Sequence, residues 1–133
     1  MAIAHVAKNY RVAAINTATP GQLVLMLFDG ALRTLATALA GFEIESVGPR
    51  IEQISNNLIK AQAILRELQA SLDLRAGGKF ARTMWALYDF MLERLCTANL
   101  RKDPEPVRVV EKLIGEVRGA WATMLWQNLP EAP

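Results

Sequence analysis

Residues 51–72 read IEQISNNLIKAQAILRELQASL, and the spacing of their apolar side chains predicts an amphipathic helix. The apolar positions alternate in steps of three and four along the whole segment, which is typical of helices that pack side by side. They are Ile51, Ile54, Leu58, Ala61, Leu65, Leu68 and Leu72. A helix of this kind needs partners to cover its apolar face, so the rest of the chain should supply them.

Pro and Gly divide the chain into four segments of about 22–25 residues with helical periodicity. Thr19 before Pro20, with Gln22 three positions later, predicts a capping box at the first helix. Asp103 before Pro104 predicts an N-cap at the fourth. Short connections favour antiparallel neighbours, so we expect an all-α, antiparallel four-helix bundle. The expected division is an N-terminal arm over residues 1–18, the bundle over 19–128 and a C-terminal tail over 129–133.

The composition narrows the class of protein. The chain has 133 residues, 52% of them apolar, and a net charge of +2, which predicts one globular domain. Lys60, Arg66 and Arg82 are too scattered to form the basic stripe of a nucleic-acid-binding protein. The N-terminus lacks the layout of a signal peptide, and the apolar run Leu23–Phe28 is too short to span a membrane. We therefore expect a cytoplasmic protein that neither inserts into membranes nor binds nucleic acid.

The residues needed for catalysis or metal binding are missing from the pattern. Cys96 is the only cysteine and His5 the only histidine, which excludes an internal disulfide and argues against zinc or di-iron sites. Cys96 has no histidine within helical reach that could activate it. Asp29 and Asp89 lack a second carboxylate at a useful spacing and are interpreted as solvated or capping groups. Gly77–Lys79 fits a sharp turn better than a phosphate-binding loop. We expect no enzyme activity, metal or cofactor.

The second and third segments carry more apolar surface than a bundle needs. Ile59, Ala63 and Ala70 lie nearly opposite the seam of the second segment. In the third segment the excess residues are Ala81, Trp85, Tyr88, Leu92 and Cys96. One explanation is packing at the corners of the bundle, which fits Ala81 and Tyr88 best, with Ile59 as an isolated exposed residue. The other explanation is a contiguous surface that binds a partner.

The N-terminal arm carries three anchors that could interact with this surface, Tyr10, Val12 and Ile15. The arm is too short to form its own core. It either covers part of the apolar surface until a partner replaces it, or is a frayed tail without a role.

Motifs along most of the chain, from Tyr10 to Trp121, resemble the flagellar secretion chaperone family (FliS). Their order and spacing carry the resemblance more than any single motif does. They are Tyr10–Pro20, Leu25–Leu32, Leu58–Gln62, Ser71–Asp73 with Gly77–Gly78, Leu87–Met91 with Arg94–Leu95, Ala98–Leu100 and Arg118-x-Ala-Trp121.

The resemblance implies a helical bundle that binds the disordered C-terminal segment of flagellin in the cytosol, prevents its premature polymerisation and delivers it to the type III export gate. The alternative is a regulatory adaptor whose main partner is an anti-sigma factor or an export-gate component. A large apolar contact must offset the entropy that a disordered partner loses on binding. The expected partner-binding residues are Tyr10, Ile15, Ile59, Gln62, Ala63, Arg66, Trp85, Leu92 and Cys96.

The sequence departs from the family pattern in three places. Phe28 and Phe90 stand where the family often has Tyr. Gly115 and Gly119 lie inside the fourth helix, where they either loosen it or permit a close approach by a neighbour. The connection Gly41–Pro49 is expected to be long. These departures bear on stability and oligomeric state more than on the partner site.

Overall fold

Four α-helices make up the part of the chain that the computed structural model describes, residues 18–128. Their bounds are α1 Pro20–Gly41, α2 Val47–Ala70, α3 Gly78–Arg101 and α4 Pro104–Gln127. The connections are short, so that successive helices run antiparallel. α1 and α3 each pack against both α2 and α4, which closes the four helices into a ring. The predicted all-α four-helix bundle is confirmed.

The ends of the helices have the predicted caps. The Thr19 hydroxyl accepts a hydrogen bond from the Gln22 backbone N–H at 3.2 Å, and the Gln22 side chain accepts one from the Thr19 N–H at 3.0 Å. The Asp103 carboxylate accepts the Glu105 N–H at 3.0 Å. Between α3 and α4, Lys102 adopts a left-handed conformation with φ 51°. Only two residues, Lys102 and Asp103, connect these helices.

One apolar core runs through the bundle. Five members of the predicted α2 seam are fully buried in it, namely Ile54, Leu58, Ala61, Leu65 and Leu68. Apolar spacing also predicted buried positions for Ile51 on α2, Phe80 on α3 and Met124 on α4, but all three side chains are exposed. Each lies within two turns of an end of its helix, where fewer neighbouring side chains cover it.

α1 and α4 are joined by polar contacts as well as by the core. Arg118 Nε donates to Asp29 Oδ1 at 2.9 Å, and Trp121 Nε1 donates to the Gly21 carbonyl at 2.9 Å. The hydrogen bond and the negative charge of Asp29 raise the pKa of Arg118. Asp29 was interpreted as a solvated or capping group; its side chain is partly exposed, and it also forms an ion pair with a residue 89 positions away in sequence. Sequence periodicity does not identify such a pair.

α1 is long and apolar enough to cross a membrane if only length and composition are considered. The core helix of a soluble bundle passes the same test, and one such helix is weak evidence. The side of α1 that faces α2 and α4 is buried in the core through Phe28, Ala31, Leu35 and Ala38. The core therefore accounts for part of the apolar character of α1.

The structure bears on two of the departures from the family pattern. The connection between α1 and α2 is short, because Val47, Gly48 and Pro49 already belong to α2. Of the two explanations for Gly115 and Gly119, a close approach by a neighbour is excluded within the described residues. No described atom lies within 4 Å of the position that a Cβ would take at either residue.

Replacing Gly115 or Gly119 by Ala is expected to raise the free energy of unfolding by about 0.5–1 kcal/mol each, because Ala restricts the unfolded chain and favours helix. Urea denaturation of the two variants measures the change. Gly77→Ala is the matched control: its Cβ would lie 2.7 Å from the Asp73 carbonyl oxygen, so this variant should be less stable than the parent. A loss of stability in both α4 variants would contradict the prediction.

Candidate functional site

The seam between α2 and α3 is held by hydrogen bonds at its two ends. At one end, Gln69 Nε2 donates to Asp89 Oδ1 at 2.7 Å and to the Trp85 carbonyl at 3.2 Å. At the other end, Ser55 Oγ donates to Asn99 Oδ1 at 2.9 Å. Asp89 is exposed, in line with its interpretation as a solvated group, and it also accepts a hydrogen bond from the neighbouring helix. These contacts fix the spacing of the two helices.

A lysine reinforces the second of these ends. Lys102 Nζ donates to Asn99 Oδ1 and to the Asn99 carbonyl, both at 2.6 Å, and to Ser55 Oγ at 3.0 Å. The left-handed conformation of Lys102 ends α3 and turns the chain toward α4. The three acceptors satisfy an ammonium group that is only partly exposed.

The spacing of the hydrogen-bonded residues along each helix shows which side chains lie between the two ends of the seam. Ser55, Gln62 and Gln69 are seven residues apart along α2, and Trp85, Leu92 and Asn99 are seven apart along α3. Residues at this spacing lie on one side of a helix. Because the helices are antiparallel and the terminal pairs are in contact, Gln62 and Leu92 lie at the same level in the middle of the seam.

Exposed apolar side chains lie along the seam, next to the exposed side chain of Arg66. Ile59 is 55% exposed and Trp85 is 38% exposed, whereas Leu92 is partly buried against the core. Ala63 and Cys96 are exposed on the outer sides of the two helices. We call this surface the α2/α3 seam; its apolar members are Ile59, Ala63, Trp85, Leu92 and Cys96.

The structure thus places seven of the nine expected partner-binding residues along one pair of helices. Besides the five apolar members, these are Gln62, which is half-buried, and Arg66, which is exposed. Tyr10 and Ile15 lie outside the described residues. Ala81 and Tyr88, for which corner packing was the better explanation, are buried as that explanation requires.

A cavity of about 450 Å³ at one end of the bundle was not predicted from the sequence. It lies between α1, α3, α4 and the connection 71–77, and its lining is mostly apolar. The lining includes Val24, Phe28, Leu72, Phe80, Met84, Tyr88, Trp121 and Met124. Phe80 and Met124 continue the apolar stripes of α3 and α4 to this end of the bundle, but they are exposed instead of being covered by the core. Two large apolar residues at the ends of their helices are the feature of the sequence that could have indicated a gap there.

Tyr88 lines this cavity with its ring almost fully buried. Burial raises the pKa of Tyr88 from 10.0 to about 12, because the phenolate loses hydration in apolar surroundings. The folded protein therefore holds the phenol proton more tightly than the unfolded chain does. The associated stability is present in full below pH 10 and is lost as the pH rises toward 12.

The free energy of unfolding should accordingly fall by about 2–3 kcal/mol between pH 10 and pH 12 through Tyr88 alone. Denaturant titrations at several pH values measure this loss. Tyr88→Phe is the control, since it keeps the ring and removes the proton. The parent and the variant should have different slopes in this range. Identical slopes would show that Tyr88 does not titrate with a raised pKa.

Over residues 18–128, no three His, Cys, Asp or Glu side chains come together in a way that could hold a metal ion. The end cavity is lined mainly by apolar side chains, and the α2/α3 seam exposes apolar side chains beside its hydrogen bonds. Such surfaces suit contact with another polypeptide.

The fold and these surfaces define the chain as a four-helix bundle with open apolar surface on its outside. The family model described as flagellar protein FliS matches residues 2–128. The chain is 36% identical to the flagellar secretion chaperone FliS of Bacillus subtilis over 121 residues, which cover 91% of this chain and 86% of that protein. It is 38% identical to the protein of the same name from Salmonella typhimurium over 109 residues, 82% and 78% of the two chains. The chain therefore belongs to the FliS family of flagellar secretion chaperones.

Proposed function

We propose that this protein is a flagellar export chaperone that binds the C-terminal segment of flagellin on the α2/α3 seam. Binding keeps flagellin from polymerising in the cytoplasm until the complex reaches the type III export gate. The protein acts by binding and not by catalysis. The observation that carries the proposal is the exposed apolar middle of the seam, in a chain whose relatives are named secretion chaperones.

The physical basis is the entropy that a disordered segment loses when it becomes ordered on a surface. Only a sizeable apolar contact offsets that loss. Ile59 and Trp85 supply such area while being held by a rigid pair of helices. Gln62 and Arg66 provide donors at the same surface for backbone carbonyls or carboxylates of the bound segment.

The N-terminal arm has a part in this proposal. Tyr10 and Ile15, which lie outside the described residues, are expected to contribute to binding of the partner together with the α2/α3 seam.

The test is a titration of the full chain with a peptide of about 40–50 residues from the C-terminus of flagellin of the same organism. Calorimetry measures the binding, and circular dichroism measures the helix content. We expect saturable binding with a gain of helix content as the segment orders. A scrambled segment of the same composition is the control. Absence of binding would refute the proposal, and binding of an anti-sigma factor in its place would favour the regulatory adaptor.

A further inference from the structure

A second apolar surface lies on the other side of α3, where this helix packs against α4. We call it the α3/α4 face. Phe80 is 62% exposed and Phe90 44% exposed, and on α4 both Val109 and Met124 are 40% exposed. These four are among the seven large exposed apolar side chains of α3 and α4; Trp85, Leu100 and Trp126 lie on these helices as well, outside the face. The remaining members of the face are Leu87, Leu113 and Ala120.

Contacts and spacing show that these residues form one surface. Phe80 and Met124 line the same end cavity, together with Ala120, which fixes the register of α3 against α4. Leu87 and Leu113 pack partly buried against the core in the middle of the pair. Phe90 lies ten residues along α3 from Phe80, about 80° around the helix from it, and is exposed beyond the cavity. The face runs from the end cavity toward the connection 102–103.

The chemical character of the face changes along its length. One stripe of α3 with seven-residue spacing consists of Phe80, Leu87, Arg94 and Arg101, so it is apolar at the cavity end and basic at the other. Arg94 Nη2 lies 3.3 Å from Glu93 Oε1, but an exposed pair between sequence neighbours contributes little. Arg101 has no ion-pair partner among residues 18–128 and is exposed.

We infer that the α3/α4 face binds an amphipathic helix of a second protein, with apolar residues over the cavity end and carboxylates facing Arg94 and Arg101. The stretch from Phe80 to Arg101 is about 31 Å long, so the side chains of a single helix of about 18 residues, about 27 Å long, reach both of its ends. Charge complementarity sets the orientation of the bound helix. The α2/α3 seam uses the opposite edge of α3, so the two surfaces can be occupied at the same time.

The probe is a synthetic, helix-stapled peptide of about 18 residues with a leucine stripe and glutamates in its last two turns. A second peptide has lysine in place of each glutamate. Binding of both to the full chain is followed by fluorescence anisotropy. We expect the glutamate peptide to bind at least tenfold more tightly, and more weakly in added salt. Equal affinities, or no binding of the glutamate peptide at about 100 µM, would overturn the inference.

Two variants locate the binding. Arg94→Glu should weaken binding of the glutamate peptide and strengthen binding of the lysine peptide. Misfolding of the variant cannot produce such a reversal of preference. Phe90→Asp should weaken both at least tenfold, whereas Ile59→Asp should change neither. The inference is wrong if Phe90→Asp leaves the peptides unaffected. It is also wrong if that variant weakens the flagellin segment tenfold, because the face would then belong to the client. Failure of flagellin to bind at all would refute only the proposed function.

Discussion

Ile59→Asp is expected to weaken binding of the flagellin segment by well over tenfold while leaving the bundle folded. Ile59 is 55% exposed, so an aspartate there stays hydrated and disturbs no core contact. In the complex, the same carboxylate would be buried against apolar client side chains without a partner. Desolvating an unpaired charge is costly, and the loss of the isoleucine side chain removes apolar contact area as well.

Calorimetric titration measures the loss of affinity, and thermal unfolding shows whether the variant is folded. The matched control is Val109→Asp, which introduces the same charge at an exposed β-branched residue on α4. We expect Val109→Asp to bind the segment like the parent. Unchanged affinity in Ile59→Asp would remove this residue from the client site, and equal losses in both variants would indicate an effect of charge alone.

Leu65→Ala should lower the free energy of unfolding by about 2–5 kcal/mol. Leu65 is fully buried in the centre of α2, where its side chain belongs to the single core of the bundle. Truncating the side chain loses the favourable free energy of moving it from water into the core. It also leaves a cavity, which the four helices of the closed bundle fill poorly. Domains of this size have total stabilities of about 5–15 kcal/mol, so the loss is a large fraction.

Leu100→Ala makes the same chemical change on α3 at a residue that is 82% exposed. Its effect should stay within about 0.5 kcal/mol, because no buried contact is lost. Denaturant unfolding of both variants at one pH gives the comparison. A small effect at Leu65 would mean that the core repacks around the missing side chain, contrary to the tight packing described for α2.

Sequence patterns predicted the fold because the energetics of a helical bundle are largely local. The three-four spacing of Leu58, Leu65 and their neighbours predicted the buried face of α2, and the polar residue before each of two prolines predicted a cap. The apolar excess that includes Ile59 and Trp85 was also visible, since a helical projection shows which residues lie outside the seam.

Features that depend on how two helices are aligned could not be predicted from the sequence. The ion pair of Asp29 with Arg118 and the hydrogen bond of Gln69 to Asp89 require the register between helices, which periodicity in one helix does not give. The end cavity arises in the same way, because Phe80 continues the apolar spacing of α3 but lies beyond full cover by α4. The α3/α4 face follows from these end effects.

The connection of α3 to α4 restricts how two copies of this chain can exchange parts. Lys102 is fixed by its φ of 51° and by its hydrogen bonds to Ser55 and Asn99, and Pro104 follows one residue later. A domain swap that donates α4 to a neighbouring copy would have to straighten this connection. Straightening it would break those hydrogen bonds and change the backbone geometry of Lys102 and Pro104. The longer connection 71–77 has no comparable hydrogen bonds to another helix. In a domain-swapped dimer this connection would therefore be the one that extends, and the two copies would exchange helix pairs.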